Sequence, residues 1–264
     1  MSHFELYLPT GSWVHRLDPR AKLWIVLLAS AVGLAYRQIG VLAGLLVLAH
    51  VALLAAHIPL ARLRWVWSRL LPLLLMILIL QPMFTPGTGP DLLRVGPVRW
   101  TTAGLLDGVS YALRAAALAF VAAALLLTTD SARLVQSLVK LGLPYPWGMT
   151  IGLALRYLPE TNGLFVSVME AQQARGWIIG QGRFSQRVRS YLPVLVATII
   201  ASLRKADSLG LALAARGLGY ARHRTALYDV RFLAADWLVL ALTTAAFAGL
   251  MMLRFGLGWG AGAW

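Results

Sequence analysis

The sequence predicts an all-α integral membrane protein with about five transmembrane helices and a helical domain outside the bilayer. Three observations lead there. Of 264 residues, 59% are hydrophobic and 13% charged, whereas a soluble globular chain is about half apolar and a quarter charged. Five apolar stretches approach the roughly 20 helical residues that cross about 30 Å of hydrocarbon. Between the fourth and fifth lies a basic block, 130–232, whose apolar residues recur with helical period. This composition excludes an ordinary soluble enzyme and a disordered chain. The absence of cysteine excludes disulfides, thiolate catalysis and cysteine-ligated metals.

The five stretches are Leu23–Tyr36, Ile39–Ala56, Leu70–Phe84, Ala103–Thr129 and Leu233–Leu253. The first and third need flanking residues to reach both interfaces. Gln38 and Gly40 mark a tight turn, and Pro82, Pro86, Gly87, Gly89, Pro90, Gly96 and Pro97 a long turn-rich loop. Met1 to His15 lack the charged-then-apolar pattern of a signal peptide, so insertion by internal spans is expected. With the N-terminus inside, the first two inside segments carry six basic residues, against four in all the outside segments. The positive-inside rule therefore places the N-terminus and the 130–232 block in the cytoplasm. Trp65, Trp67, Trp100 and Trp237 fall near span ends, where amphipathic rings are expected. The domains read as 1–129 (four membrane helices), 130–232 (cytoplasmic) and 233–264 (last span and tail).

The block holds 13 basic and 5 acidic residues. Leu195, Ile199, Leu203, Ala206, Leu209 and Leu213 form an amphipathic stripe. A looser one, Ile151, Leu155, Leu158, Phe165 and Met169, is interrupted by Pro159. Two helices finish alike, at Ala174-Arg175-Gly176 and Ala215-Arg216-Gly217. Glycine after a helical run is a common left-handed stop, and arginine in the last turn suits the negative end of the dipole. Each end follows a Tyr-Leu-Pro, at Tyr157 and at Tyr191, which suggests a duplicated unit. A guanidinium at a helix tip flanked by small residues can enter a carboxylate-lined groove and bind it bidentately, as lysine cannot.

These residues resemble the transmembrane T component (EcfT) of energy-coupling factor transporters, which are bacterial and archaeal ABC importers of vitamins and transition-metal ions. The segment from Ser12 through His15, Arg16, Leu17, Asp18, Pro19 and Arg20 to Lys22 looks like the family's approach to the first span. Arg114, Thr128–Thr129, Leu143-Pro144 and Arg156-Tyr157-Leu158-Pro159-Glu160 follow in the family order. The resemblance covers most of the chain, and the paired Ala-Arg-Gly motifs are its most specific mark. It implies a multi-pass protein of the plasma membrane whose long cytoplasmic coupling helices cross and end at the two motifs. Arg175 and Arg216 would dock on two ABC ATPase subunits, identical or not, with Ala174, Gly176, Ala215 and Gly217 permitting close approach. A membrane-embedded S component would select the substrate. ATP and Mg would bind the partner ATPases, leaving this chain non-catalytic and without a cofactor.

The residues themselves agree with a coupling role. No Gly-x-x-x-x-Gly-Lys-[Ser/Thr] phosphate loop and no His-Glu-x-x-His occur. His3, His15, His50, His57 and His223 are scattered, and His50 with His57 reads as packing rather than a metal pair. Asp107 and Arg114, seven residues apart in the fourth span, offer an alternative: an intramembrane phosphotransferase-type enzyme. Its metal site lacks further aspartates, so a structural pair or an S-component contact is the preferred reading. Asp18 reads as an N-cap with Pro19 at N1, and Arg20 and Lys22 as membrane-face anchors. The basic charge suits lipid head groups and acidic grooves. Nucleic acid is not expected, because stacking platforms and a reading helix are missing.

Overall fold

The computed structural model describes residues 7–8, 10–84, 91–95, 98–180, 183–219 and 232–256. His3, His223, Asp229, Pro86, Gly87, Gly89, Pro90, Gly96 and Pro97 lie outside the described residues. The chain divides into two units, one holding 143–229 and the other 5–142 with 230–264.

In the larger unit a short helix α1 (Trp13–Arg16) precedes α2 (Pro19–Ala35), α3 (Ile39–Ala55), α4 (Leu60–Phe84), a hairpin of β1 (Asp91–Val95) and β2 (Val98–Thr101), α5 (Thr102–Thr128), α6 (Ser131–Lys140) and, from the chain's far end, α10 (Ala234–Gly256). Helices α4, α5 and α10 are long and apolar enough to span a bilayer. Helices α2 and α3 have 17 residues each, about 25 Å, at the lower limit for a span. The expected third span begins ten residues early because α4 runs through Pro72 and includes Leu60. The turn-rich loop contains an antiparallel hairpin with Val95 opposite Val98. Helix α6, grouped by sequence with the cytoplasmic block, packs on α2.

Asp18 is the N-cap of α2: its Oδ1 accepts from the Arg20 amide at 2.9 Å, and Pro19 occupies the first turn. Lys22 is not an outward anchor. It is 6% exposed, and its Nζ donates to the Thr128 carbonyl at 2.9 Å, with the Thr128 and Thr129 hydroxyls at 3.4 and 3.3 Å. Thr128 is the last residue of α5, whose terminal carbonyls have no helical partner. At the opposite end the relation is reversed: Arg114 Nη2 of α5 donates at 2.8 Å to the carbonyl of Tyr36, the C-cap of α2. Lys22 and Tyr36 are fourteen residues apart, as are Arg114 and Thr128, about 21 Å along either helix. The two helices are thus antiparallel and joined by a cation at each end. Arg114 and Asp107 form no ion pair, so the structural pair expected between them is absent; the arginine is engaged by Tyr36 and lies over the Tyr111 ring at 5.3 Å.

Helix α10 lies along α2. Asp236, 1% exposed, accepts from the Asp18 amide at 2.9 Å and from the Leu233 amide at 2.8 Å. Trp24 Nε1 donates to Thr244 at 3.1 Å, and the Tyr36 hydroxyl donates to the Leu250 carbonyl. Helices α3 and α4 also pack on α5, around Leu53, Leu63, Phe120 and Val121. There His50 packs against Trp67 and Phe120, whose rings also touch each other, accepting from the indole at 3.1 Å, with its Nδ1 2.9 Å from the Leu46 carbonyl. That is the packing role expected of His50. Trp67, expected at an interface, belongs instead to this cluster, whereas Trp65 is exposed with Arg62 and Arg69 over its ring. His57 ends α3 in the left-handed region (φ 55), closing its last turn through bonds from His57 to Leu54 and from Ile58 to Leu53.

Replacing Lys22 or Arg114 by Met should each lower stability by about 1–3 kcal/mol, the cost of an unsatisfied buried acceptor. Thermal unfolding in detergent measures this, and a melting temperature unchanged in both variants would refute the two-ended clamp. His15 gives a pH dependence. It is 7% exposed, beside Ser12 Oγ at 2.8 Å, and burial pushes its imidazole below the ordinary value. The unfolded chain then takes up a proton near pH 6.5 that the folded chain resists, so stability falls as the pH drops below about 6.5. His15→Gln should flatten that slope in a melting series from pH 7.5 to 5.5.

Candidate docking site at two helix tips

The smaller unit is built from α7 (Tyr145–Ala174), α8 (Phe184–Ser190) and α9 (Leu192–Ala215). Pro159 lies inside α7 and does not interrupt it, so one helix of 30 residues replaces the broken stripe read from sequence. Proline removes its own N–H bond and its ring crowds the carbonyl four residues back, yet the turns on either side carry the helix through.

Helices α7 and α9 meet near the middle of each. On α7 the facing residues are Tyr157, Glu160, Thr161 and Leu164; on α9 they are Ser202, Lys205, Ala206 and Leu209. Both sets follow the i, i+3, i+4, i+7 spacing of one helix face. Lys205 pairs with Glu160 and lies 5.8 Å from the centre of the Tyr157 ring. Half-exposed, the pair contributes little stability, but together with the ring it defines where the helices meet. Ser202 and Ala206 are small enough to let the backbones approach. The sequence stripe of α9 is therefore only partly the packed face: Leu195, Ile199 and Leu203 are 45–60% exposed, while Val194 and Thr198 are buried. Periodicity identifies residues that share a face, not what covers it.

From this junction each helix runs to its Ala-Arg-Gly end. Arg175 is the C-cap of α7 and Gly176 follows at φ +84; Arg216 is the C-cap of α9 and Gly217 follows at φ +75. Each end closes with two reverse bonds. At α7 these run from Trp177 to Gln172 at 3.0 Å and from Gly176 to Gln173 at 2.9 Å. At α9 they run from Leu218 to Leu213 at 3.0 Å and from Gly217 to Ala214 at 2.9 Å. These are the paired bonds of a Schellman stop, for which glycine is the residue without a steric penalty. Because the backbone satisfies its own last carbonyls, neither arginine is needed as a cap. Both side chains are exposed, flanked by exposed Ala174, Gly176, Ala215 and Gly217. Glu160 to Arg175 is fifteen residues and Lys205 to Arg216 eleven, so the two arms extend about 22 and 16 Å beyond the junction.

The tip of α7 is also tied down: Trp177 Nε1 donates to the Ser190 carbonyl at 2.9 Å and Ser190 Oγ accepts from the Gly180 amide at 3.1 Å. Arg183, Arg187 and Arg189 of the neighbouring α8 are exposed, so this tip carries several positive charges. The two Tyr-Leu-Pro copies do not correspond. Tyr157 and Pro159 sit in the middle of α7, whereas Tyr191 is the N-cap of α9 and Pro193 lies in its first turn. The suggested duplication is therefore confined to the helix ends. Sequence reasoning missed Tyr157, Glu160 and Lys205 as the junction; the matched spacing of 157, 160, 161, 164 and 202, 205, 206, 209 was the available signal. Asp107 and Arg114 lie in the other unit, half-buried on α5. Among the described residues no three His, Cys, Asp or Glu side chains come together as a metal site.

The profile of the cobalt transport protein family CbiQ matches residues 10–227. The energy-coupling factor transporter transmembrane protein EcfT of Acidaminococcus fermentans is 32% identical over 263 residues, covering 95% of this chain and 96% of that protein. The proteins of the same name from Thermosediminibacter oceani and Listeria innocua are 30% and 29% identical, covering 94% and 93% of this chain and 96% and 95% of theirs.

Gly176→Ala and Gly217→Ala should each destabilise a helix end by about 1 kcal/mol, because alanine is strained at these φ values although open space surrounds both positions. Faster hydrogen exchange at the Trp177 and Leu218 amides, which close the two turns, is the expected readout. Unchanged exchange at both would show that the glycines are not required for the stops.

Proposed function

The chain belongs to the CbiQ cobalt transport protein family, and we propose that it is the coupling subunit of an energy-coupling factor importer. The observation that supports this best is the pair of exposed arginines, each at a glycine-stopped helix end, on two helices that meet at their middles. Arg175 and Arg216 each enter a carboxylate-lined groove on one of two ABC ATPase subunits. ATP and Mg are bound and used there, and this chain contributes no catalytic group. The planar guanidinium matches a carboxylate in two parallel hydrogen bonds, and the small flanking residues keep its approach clear.

Movement of the ATPases displaces the two tips. Each arm is a single rigid helix from the junction outward, so displacement at a tip becomes rotation about the contact of Tyr157, Glu160 and Lys205. The exposed ridge of Leu195, Ile199 and Leu203 suits an apolar partner, and a membrane-embedded S component is the one that an importer of this kind requires. Charge asymmetry supports an orientation with the N-terminus and the 143–229 unit in the cytoplasm. The alternative enzyme centred on Asp107 and Arg114 is disfavoured, because Arg114 is occupied by the Tyr36 carbonyl and the chain belongs to a transport family.

Co-purification of the full chain with its two ATPase subunits tests the proposal. Arg175→Ala with Arg216→Ala should abolish the complex while leaving membrane insertion intact, since losing one buried charged anchor costs ~2–5 kcal/mol. Arg→Lys at either tip should weaken it, because a single ammonium cannot bind a carboxylate bidentately. An ATPase complex unaffected by the double alanine variant would remove the docking role from these tips.

A further inference from the structure

Three arginines gather around the C-terminal end of α2, away from Lys22. Arg37 follows the C-cap of α2 and donates from Nη2 to the Tyr111 hydroxyl at 3.4 Å. Arg114 lies over the face of the same Tyr111 ring, 5.3 Å from its centre. Arg254, in the last turn of α10, lies 5.3 Å from the centre of the Tyr36 ring. Tyr36 links the set, because its carbonyl accepts from Arg114 and its hydroxyl donates to Leu250, one turn before Arg254.

Among the described residues no carboxylate pairs with any of the three. Two of their nitrogens, Arg114 Nε and Arg254 Nη1, are buried without a hydrogen-bond partner. Guanidinium groups placed together repel one another, and buried donors left unpaired cost free energy. An anion held at the exposed Arg37 and the half-buried Arg254 offsets that repulsion. Around the arginines the surface is apolar and open, with Leu34 at 67%, Met252 at 77% and Phe255 at 80% exposure. Guanidinium charge at the ends of α2 and α10, edged by exposed apolar side chains, matches a molecule with a phosphate head and hydrocarbon tails. A carboxylate on a soluble partner explains the guanidinium groups but not the apolar edge.

We propose that Arg37, Arg114 and Arg254 form a binding site for the phosphate group of an anionic phospholipid. The acyl chains lie along Leu34, Met252 and Phe255. The phosphate accepts from the exposed Arg37 and from the part of the Arg254 guanidinium that reaches the surface, while Arg114 keeps its bond to Tyr36 through Nη2 and adds its charge from beneath.

Native mass spectrometry of the full chain in detergent, titrated with dioleoyl-phosphatidylglycerol or dioleoyl-phosphatidylcholine, tests the site. Arg37→Gln with Arg254→Gln leaves the Arg114 clamp in place. Wild type should retain the glycerol lipid at least tenfold better than the zwitterionic one, and the double variant should lose roughly that factor, ~1.4 kcal/mol. If the double variant fails to fold, Arg37→Gln alone, at an exposed position outside the helices, should show part of the loss. Equal retention of the two lipids by wild type, or an unchanged preference in a folded variant, would overturn the proposal. Displacement of the lipid by millimolar inorganic phosphate would also overturn it, identifying a free-phosphate site instead.

Discussion

The larger unit depends on two cations, each given to the carbonyl end of the helix opposite. Helix C-termini leave carbonyls without partners, and in hydrocarbon no water is available to take them. Helix α2 is short, so its last carbonyls end beside the middle of α5, and Arg114 meets them there. The end of α5 lies beside the first turn of α2, and Lys22 meets it. Charges that would be costly within a membrane become tolerable because each bonds to a polar group that also needs a partner. The same pairs set the register of α2 against α5, and the other helices build on that register: α10 through Asp236 and Tyr36, α3 and α4 through the cluster around Phe120.

The smaller unit solves the same problem by different means. Its long helices close their own terminal carbonyls through the reverse turns at Gly176 and Gly217. The arginine in each last turn therefore has no capping duty and remains exposed. A cation serves as a cap inside the membrane unit and stands free at the tips of the other. At these ends the difference lies in the backbone that follows the helix: Tyr36 and Thr129 take extended conformations, whereas Gly176 and Gly217 turn left-handed.

Much of this was legible in the chain itself. Hydropathy predicts the membrane helices because burial in lipid requires long apolar stretches. The N-cap at Asp18 and the stops after Arg175 and Arg216 are local effects, decided by the residues within one turn. The reading of Lys22 as an outward anchor failed for a physical reason: a lysine at a helix start looks the same whether it faces lipid head groups or a neighbour's carbonyl. Trp67, Pro159 and the Leu195 stripe failed similarly, because each has two acceptable surroundings and only packing selects one.

Sequence alone determined the membrane character, the family and the two Ala-Arg-Gly helix ends, since each follows from composition or from a short motif. Tertiary structure alone decided three further things. It paired Arg114 with Tyr36 rather than Asp107, brought Glu160 and Lys205 together forty-five residues apart, and gathered Arg37, Arg114 and Arg254 from three separate helix regions. Contacts between residues distant in the chain depend on how helices pack, and helical periodicity specifies faces without naming the partners that meet them.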